Sequence, residues 1–427
     1  MEMVPTEDAF SRLWIWEKVG DRLPWYVNVA SNRIPAKYLI AQRVPCDLDL
    51  SERSDAELWA EHQRGTELFL DLWKGIREGG SRLEDLPRPP TSLVDLSVEL
   101  TLRMLRRCIF CRWNCRIDRS AGTKHGTCQL EAESRVSSYF HHRGEELVFR
   151  GTRGSGTVFF TSCNLRCAHC QNSDISHDKD RGIPMTPNQL AAAAWQLRME
   201  GCHNINWVGG DPTIHLHTIV QAIALLAKNQ VNLQDMGYVS TVKADFGRPL
   251  FSEERGRYDG EFNVPMLWNS NFFMSPETMQ ILRPLIDVWL PDFKFGNDKC
   301  SVFLARTPWY WETVSRNHQL VYDWGEDMVI RHLVMPNHVD CCTKPVLDWI
   351  AAHTPQALVN VMDQYHPDHA CNPTDSNYDP QYEELARRPY DREIREAYDH
   401  AAALGLRFED VTFEKAQIRR IFPRMGS

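Results

Sequence analysis

The stretch TSCNLRCAHCQNSDIS, from Thr161 to Ser176, contains three cysteines, Cys163, Cys167 and Cys170, in a CxxxCxxC spacing. The residues TVFFTS just before the first cysteine predict a buried strand that runs directly into this loop. Three thiolates on one loop can hold three irons of a cubane and leave the fourth iron without a protein ligand. The alternatives are reduced core cysteines or a zinc site that borrows a distant fourth ligand, but zinc sites usually build from CxxC pairs. The loop therefore indicates an open iron–sulfur site.

The composition is that of an ordinary globular protein with a high cysteine count. The chain has 427 residues, 13 cysteines and a formal net charge of −9. No run of about 18 apolar residues is present, and the acidic residues Glu2, Glu7 and Asp8 argue against a signal peptide, so we expect a cytoplasmic protein without a membrane span. Seven cysteines fall between positions 108 and 170, which favours metal binding over a secreted disulfide scaffold. The negative charge argues against broad nucleic-acid binding.

From about residue 155 onward, apolar strand patterns alternate with helical patterns. This alternation predicts an α/β fold with a parallel sheet, and the number of units predicts a full or partial (β/α) barrel. Residues 1–100 form a predicted accessory helical domain, 101–150 a cysteine-rich segment, 151–370 the barrel core and 371–427 a C-terminal extension. In such barrels the reactive groups lie on loops that follow the carboxyl ends of the strands.

Four motifs together resemble a known family. CNLRCAHCQN, HNINWVGG, PDFKFGND and IRHLVMPNH, within residues 105–410, resemble the radical S-adenosylmethionine (SAM) superfamily, and within it the PflX-like branch related to pyruvate formate-lyase activating enzymes. The resemblance implies that Cys163, Cys167 and Cys170 bind a [4Fe–4S] cluster whose open iron chelates SAM. It also implies reductive cleavage of SAM to a 5′-deoxyadenosyl radical that abstracts hydrogen from a substrate. Such an oxidoreductase works anaerobically and takes its electron from a donor such as flavodoxin or ferredoxin.

The resemblance also assigns roles to residues 209–212 and to His169. Gly209, Gly210, Asp211 and Pro212 match the GGEP element of the superfamily, which contacts the methionyl ammonium of SAM. Glycine lets the backbone approach closely, and the aspartate has the charge of the family's glutamate on a side chain one methylene shorter. His169 stands where the family usually has an aromatic residue near the adenine, and a flat imidazole can pack in the same way.

Polar residues at the ends of later predicted strands complete the expected rim. Asn269 and Asn271 are expected to bind ribose hydroxyls, with Ser270 pointing the other way on a strand of period two. A single polar residue at such a position more often only hydrogen-bonds within the barrel. Several of them on the same rim predict that some contact SAM or the substrate. The cofactor-binding candidates from these strands are Asn269, Asn271, Asp292, Lys294, Arg331 and Gln364.

A second cysteine group precedes the barrel. Cys108, Cys111, Cys115 and Cys128 can fill all four coordination positions of a closed site. The candidates are a structural zinc knuckle and an auxiliary [4Fe–4S] cluster, and the cluster is favoured because the resembling branch carries a similar element. Neighbouring arginines would stabilise the negative charge of a four-thiolate cubane, unless they only form a solvated face. These arginines are Arg106, Arg107, Arg112 and Arg116.

Four later cysteines, Cys300, Cys341, Cys342 and Cys371, lie just after predicted strands. They are expected to gather on the same rim if the barrel forms. One interpretation is a set of unrelated loop thiols. The other is a further metal site, or a thiol that donates a hydrogen atom to a substrate radical.

The leading function is therefore a radical SAM enzyme, with activation of a glycyl-radical partner protein as the subtype by family analogy. Alternatives are radical modification of a small-molecule biosynthetic intermediate, a peptide or RNA. A non-enzymatic iron–sulfur electron carrier would have no use for the GGDP element. A glycyl-radical activator is expected to bind its partner at an open side of the barrel, whereas a small-molecule enzyme is expected to cover that side with its N-terminal domain. The tryptophans around Trp14, Trp16 and Trp25 are candidates for this cover, although such aromatic residues more often belong to the core.

Overall fold

The computed structural model describes residues 15–151, 153–236 and 256–413, so Trp14 lies outside the described residues. Its strands are short and mostly buried, as expected for a sheet covered on both faces. The strands are β1 (Arg135–His142), β2 (Ser155–Phe160), β3 (Ile183–Pro184), β4 (Ile205–Gly209), β5 (Arg257–Tyr258), β6 (Glu261–Phe262), β7 (Met266–Ser270), β8 (Val288–Pro291), β9 (Val329–Leu333) and β10 (Leu358–Met362).

Several helices begin at residues whose side chains accept from free backbone N–H groups. Ser54 and Glu57 form a reciprocal capping box at one N-terminus, and Thr186 and Gln189 form another. The α-helices are α1 (Pro24–Ala30), α2 (Lys37–Ala41), α3 (Asp55–Arg77), α4 (Leu93–Arg106), α5 (Leu147–Arg150), α6 (Ser173–Ser176), α7 (Pro187–Met199), α8 (Leu216–Ala227), α9 (Pro276–Leu282), α10 (Asp298–Ala305), α11 (Tyr310–Asp323), α12 (Lys344–His353), α13 (Asp391–Ala403) and α14 (Glu409–Thr412).

The main sheet is a partial barrel. Parallel pairing runs in the order β2, β4, β7 and β8, isolated parallel bridges join β8 to β9, and β9 pairs with β10. Among the described residues, no pairing joins β10 back to the other edge. That edge holds β1, which is antiparallel to β2 and lies inside the predicted cysteine-rich segment 101–150. The α/β fold with a parallel sheet agrees with the prediction.

The N-terminal helices pack against the amino ends of the barrel strands. Trp25 donates from Nε1 to the carboxylate of Asp287, just before β8, at 2.8 Å. The backbone N–H of Tyr26 donates to Asp327, just before β9, at 2.7 Å. Trp16 likewise donates to the carbonyl of Val148, which precedes β2. Trp16 and Trp25 were candidates for a cover over the barrel, but these hydrogen bonds hold them at the opposite end, and Trp25 belongs to the buried core, as in the alternative interpretation.

The chain after β10 returns to the carboxyl end of the barrel through two 3₁₀ turns, His369–Cys371 and Pro380–Leu385. His369 lies 3.0 Å from His177 in the loop region that follows the CxxxCxxC motif. The final helices pack beside α12 and β10. Among the described residues, no helix combines the length and the apolar character that a membrane crossing requires.

Candidate functional site

A cavity of about 230 Å³ lies at the carboxyl ends of the parallel strands, and we call it the main cavity. The ends of β2, β4, β7, β8, β9 and β10 all contribute to its lining. The three cysteines of the CxxxCxxC loop and all the predicted SAM-contacting residues line this one cavity, although they are spread over about 200 positions of sequence. They are Cys163, Cys167, His169, Cys170, Gly209, Gly210, Asp211, Asn269, Asn271, Asp292, Lys294, Arg331 and Gln364.

The loop that carries the three cysteines is anchored from two sides. Cys163 and Cys167 are buried, and Cys170 is half-buried with its thiol 3.1 Å from Ser176 Oγ. The backbone N–H of Ala168 donates to the carbonyl of Leu304 at the end of α10, at 2.7 Å. These bonds hold the motif against the barrel, so the thiols share one end of the main cavity.

The chemistry of these thiols fits a cationic metal cluster. Burial raises the pKa of Cys163 well above its ordinary value and raises that of Cys167 to about 12, although Lys294 lowers the latter. The thiols therefore stay protonated unless a positive centre displaces their protons, as cluster irons do. Among the described residues that line the cavity, no fourth thiol is present. Cys163, Cys167 and Cys170 are therefore the cysteines that the described lining of this cavity offers to such a cluster.

Gly209, the last residue of β4, and Gly210 lie against the end of β2 and the start of the cysteine loop. Gly209 has a φ of +125°, and a Cβ on it would lie 2.2 Å from the backbone nitrogen of Phe160. A Cβ on Gly210 would lie 1.6 Å from the carbonyl oxygen of Ser162. The N–H of Gly210 donates to the carbonyl of Phe160 at 2.9 Å. Only glycine permits this approach, which brings the loop after β4 beside the loop that carries the three cysteines.

Asp211 uses both carboxylate oxygens within the protein. Oδ1 accepts from the N–H of Thr213 at 2.9 Å, and Oδ2 accepts from the N–H of Asn271 at 2.9 Å and from Ser270 Oγ at 3.1 Å. Burial raises its pKa, and these hydrogen bonds act in the opposite direction. Ser270, which was expected to point away, lines the cavity beside Asp211, because β7 ends there and strict alternation ends with it.

Asn271 contacts the loop that carries the three cysteines. Its side-chain amide donates to Asn164 Oδ1 at 2.7 Å and lies 3.6 Å from the sulfur of Cys163. Its Oδ1 accepts from the N–H of Phe273 at 3.0 Å. Asn271 thus supports the cysteine loop, in addition to lining the cavity.

An ion-pair network crosses the strand ends opposite the glycines. Asp292 accepts from Lys294 Nζ at 2.6 Å and from Arg331 Nε at 2.9 Å, and Arg331 also donates to Asn269 Oδ1 at 2.5 Å. Burial raises the pKa of Asp292, but the charges of Arg331 and Lys294 outweigh it and hold that pKa below the usual value. The same pairing raises the pKa of Lys294 in spite of its burial. The network therefore stays charged.

A buried glutamate that the sequence analysis did not single out lies beneath this network. Glu145 is 5% exposed, accepts from Asn206 Nδ2 at 2.6 Å and lies 3.6 Å from Arg331. It belongs to no motif, so only the fold brings it into the barrel interior.

His169 is buried between two aromatic rings. Its ring centroid lies 6.1 Å from those of both Phe295 and Tyr365. Burial lowers its pKa to about 3, so the imidazole is neutral. Its Nδ1 is buried without a hydrogen-bond partner among the described residues. Gln364 lies further out, with Nε2 3.2 Å from the sulfur of Met362.

The quartet Cys108, Cys111, Cys115 and Cys128 comes together beside the cysteine loop, and we call it the Cys108 group. Burial raises the pKa of Cys108 and of Cys111, and each of these two thiols also feels the charge of Cys115 and Cys128. Within the described part of the chain, no three of the four sulfurs lie within 4.8 Å of one another.

The arginines expected around this quartet are placed differently. Arg106, Arg107 and Arg116 are exposed, as in the solvated-face interpretation. Arg112 lies over the ring of Trp309, with its guanidinium carbon 4.9 Å from the ring centroid. The buried arginine is a residue that the sequence analysis did not single out. Arg119 is 1% exposed, donates to the carbonyls of Glu131 and Ile214, and lowers the pKa of Cys108.

Three of the four later cysteines converge with a histidine that the sequence analysis missed. The ligand atoms of Cys300, His338, Cys341 and Cys342 all lie within 4.8 Å of one another, and we call these residues the Cys300 group. Cys371 is not a member, and its buried thiol instead hydrogen-bonds to Tyr365. The sequence contains a hint of the group, because His338 precedes the adjacent cysteines by three and four positions.

Comparison with known proteins identifies the family. The model of the radical SAM superfamily matches residues 157–350. An uncharacterized protein of Methanocaldococcus jannaschii, MJ0674, is 33% identical over 395 residues, which cover 90% of this chain and 98% of that protein. The chain belongs to the radical SAM superfamily. Membership implies an enzyme that uses a [4Fe–4S] cluster and SAM.

Two solved structures give weaker matches. A domain of pyruvate-formate lyase-activating enzyme from Bacteroides vulgatus has a TM-score of 0.26 and 13% identity, covering 34% of this chain and 80% of that chain. SuiB from Streptococcus suis, bound to the precursor peptide SuiA, has a TM-score of 0.35 and 12% identity, covering 58% of this chain and 46% of that chain. Similarity at this level bears neither on the reaction nor on the substrate.

Proposed function

We propose that this protein cleaves SAM reductively at a [4Fe–4S] cluster held by Cys163, Cys167 and Cys170, and uses the product radical to abstract hydrogen from a substrate. When bound, the cluster supplies the electron for cleavage of the sulfonium C–S bond, which yields the 5′-deoxyadenosyl radical. The supporting observation is that three thiols on one loop and polar groups from six successive strand ends line the same cavity.

The other residues of the cavity are assigned roles by their positions. The backbone after β4, at Gly209 and Gly210, can lie along the methionyl part of SAM because no side chain intervenes. The carboxylate of Asp211 orders this loop and complements a nearby ammonium. His169 offers a neutral flat ring to the adenine, between Phe295 and Tyr365. These roles follow from the family resemblance, and the cavity lining is consistent with them.

The charged network has a second role in this proposal. Asp292, Lys294 and Arg331 present fixed charges and hydrogen-bond donors at the rim opposite the glycines. Asn269, bound to Arg331, is oriented by the same network and is assigned to the ribose hydroxyls. Gln364, which follows the last strand, is assigned to contact with SAM or substrate.

The substrate class proposed is a polypeptide segment, as in activation of a glycyl-radical enzyme. The supporting observation is the position of the N-terminal helices, which pack against Asp287 and Asp327 at the amino ends of the strands. A small-molecule enzyme would gain from a cover over the mouth, whereas the described N-terminal residues, from position 15 onward, provide none. A protein segment can reach the rim from outside.

The Cys108 group is proposed to hold an auxiliary cluster that passes electrons toward the cysteine loop. The support is that Cys115 and Cys128 lie near enough to act electrostatically on Cys108 and Cys111, beside the buried guanidinium of Arg119, whose positive charge suits an anionic four-thiolate cluster. The segments that carry the two groups are also linked directly, because the indole N–H of Trp113, between Cys111 and Cys115, donates to the backbone carbonyl of Asn164.

The test is release of 5′-deoxyadenosine from SAM by anaerobically reconstituted, dithionite-reduced protein. Wild type is compared with Cys167→Ala, with a Cys111→Ala/Cys115→Ala variant, and with Cys46→Ala as a control on a buried cysteine of the N-terminal region. We expect release to vanish in Cys167→Ala and to persist in the other variants. Equal release from Cys167→Ala and wild type would contradict the proposal, and so would an iron-loaded wild type that never cleaves SAM.

The substrate class is tested with extracts of the native cells, divided by dialysis. We expect the retained macromolecular fraction to increase 5′-deoxyadenosine release and the dialysable fraction to leave it unchanged. Stimulation only by the dialysable fraction would contradict the polypeptide assignment and support a small-molecule intermediate. A ribonuclease-treated portion of the macromolecular fraction distinguishes RNA from protein.

A further inference from the structure

The Cys300 group has the donor set of a single metal ion. His338 Nδ1 lies 3.2 Å from the sulfur of Cys341 and 3.9 Å from those of Cys300 and Cys342. All four ligand atoms lie within 4.8 Å of one another. A tetrahedral zinc ion with Zn–S bonds of about 2.3 Å and a Zn–N bond of about 2.0 Å separates its ligands by about 3.5 to 3.8 Å. The observed spacing therefore matches one ion, whereas cubane cysteines each bind a different iron.

The surroundings of the histidine fit the same interpretation. His338 Nε2 lies 3.2 Å from Glu384 Oε1, so the ring nitrogen that faces away from the sulfurs has a carboxylate partner. This arrangement, in which a carboxylate orients a ligating imidazole, is the usual outer shell of a zinc histidine. Glu384 comes from the 3₁₀ turn Pro380–Leu385, far from the other members in sequence.

The backbone around the group is arranged to bring two loops close together. Asn297 Oδ1 accepts from the N–H of Cys300 at 2.8 Å, and Asn297 Nδ2 donates to the carbonyl of Cys341 at 2.7 Å. A Cβ on Gly296 would lie 2.6 Å from that same carbonyl oxygen. The start of α10 and the π-helical turn Val339–Thr343 are thus held in contact by Asn297 and by the absence of a side chain at Gly296.

The location of the group argues against hydrogen donation to a substrate radical. Cys300, His338 and Cys341 line a separate cavity of about 890 Å³, and none of the residues that line it also lines the main cavity. A thiol that reduces a substrate radical would have to face the space where the radical forms. These three residues face a different space, which leaves metal binding as the chemistry that the group supports.

We propose that Cys300, His338, Cys341 and Cys342 bind one zinc ion in a closed, structural Cys₃His site. Binding places Zn²⁺ on three thiolates and one neutral imidazole, and the thiol protons are released to solvent. The site is additional to the cluster on the cysteine loop and does not depend on SAM cleavage. It draws α10 and the loop after β9 together at the rim of the barrel.

The zinc ion also supports the cysteine loop indirectly. Helix α10 begins beside Cys300 and ends at Leu304 and Ala305, whose carbonyls accept the N–H groups of Ala168 and Arg166 at 2.7 and 3.2 Å. A helix anchored at its first turn by metal holds its last turn in a fixed position. Loss of zinc is therefore expected to make the neighbouring cluster bleach faster in air.

The experiment measures zinc and iron per chain in anaerobically purified full-length protein by inductively coupled plasma mass spectrometry. Wild type is compared with Cys300→Ser and His338→Ala, and Cys371→Ser is the matched control, since Cys371 is a buried rim cysteine outside the group. We expect each of the first two variants to lose about one zinc per chain relative to wild type. Iron content should be unchanged, and Cys371→Ser should retain its zinc. Zinc that is equal in all four proteins overturns the proposal.

A measurement on wild type alone guards against variants that fail to fold. Zinc K-edge X-ray absorption reports only on zinc, so the iron sites do not obscure it. We expect a first shell of about three sulfurs at about 2.3 Å and one nitrogen at about 2.0 Å. A shell of four sulfurs would assign the zinc to the Cys108 group and overturn the proposal. A Cys300–Cys341 disulfide found after alkylation without reductant would overturn it as well. None of these readouts uses SAM cleavage, so failure here is distinct from failure of the proposed reaction.

Discussion

The indole Nε1 of Trp113 donates a 2.7 Å hydrogen bond to the backbone carbonyl of Asn164. Trp113 lies between Cys111 and Cys115 of the Cys108 group, and Asn164 directly follows Cys163, so one hydrogen bond connects the two cysteine-rich segments. The ring also packs edge-on against Phe273, at 5.8 Å between centroids. The segment of the Cys108 group thereby supports the loop that carries Cys163.

Replacing Trp113 with Phe should remove this link while keeping an aromatic ring. We expect the free energy of unfolding to fall by about 1 kcal/mol, the usual net value of one hydrogen bond. The visible absorbance of the reconstituted clusters should also bleach faster in air. Trp59→Phe, in helix α3, serves as the control. Equal effects of the two substitutions would mean that Trp113 has no special role.

Gly210→Ala tests whether the close approach of the ends of β2 and β4 positions the cysteine loop. The new Cβ would lie 1.6 Å from the carbonyl oxygen of Ser162, so the backbone beside Cys163 must move. We expect a loss of about 2 kcal/mol in the free energy of unfolding, together with loss of most cluster iron. In Gly80→Ala the nearest atom lies at 3.7 Å, and both quantities should match wild type. Full iron content in Gly210→Ala would contradict the argument.

Asp292 pairs with two half-buried cations, Lys294 and Arg331. Asp292→Ala should therefore lower the free energy of unfolding by about 2 kcal/mol, because it removes two hydrogen bonds between charged groups and leaves Arg331 with Glu145 as its remaining ion-pair partner among the described residues. Asp292→Asn keeps an acceptor oxygen and should have a smaller effect. Asp71→Ala, on the exposed face of α3, should change stability very little. These values are measured by chemical denaturation under anaerobic conditions, and an Ala variant as stable as the Asn variant would refute the prediction.

Stability should depend on pH through Asp327. Burial raises the pKa of Asp327 to about 7, and that of Asp287 to about 6, in the folded protein. The unfolded value is about 3.9, so between these pH values the folded chain binds more protons than the unfolded chain. The free energy of unfolding should therefore fall as the pH rises through this range, by at most about 1.4 kcal/mol per pH unit for each aspartate.

The Asp327→Asn variant isolates this contribution. Asparagine keeps an oxygen that can accept from the N–H of Tyr26 but has no charge to bury. We expect the difference in stability between the variant and wild type to shift in favour of the variant from pH 5 to pH 8. Asp47→Asn, at an exposed position, should give a difference that does not vary with pH. A pH-independent difference for Asp327→Asn would exclude the assigned pKa.

Much of the main site could be predicted from the sequence because its determinants are local. The cysteines share one loop, the glycines lie at the end of one strand, and Asp292 and Lys294 follow another. Since parallel strands end at a common edge, residues at their carboxyl ends meet without further information. Ser270 was misplaced because the strand ends at that residue, and the period of two holds only inside a strand.

The sequence by itself determined the class of the protein, since the CxxxCxxC loop, the GGDP turn and the alternation of strands and helices are short-range patterns. The tertiary structure alone decided what joins distant segments. Glu384 reaches His338 only because the chain after β10 folds back over the rim. Trp25 lies at the amino ends of the barrel strands because Asp287, just before β8, accepts a hydrogen bond from its indole N–H. Such contacts depend on how whole elements pack, and no local pattern of residue types records that packing.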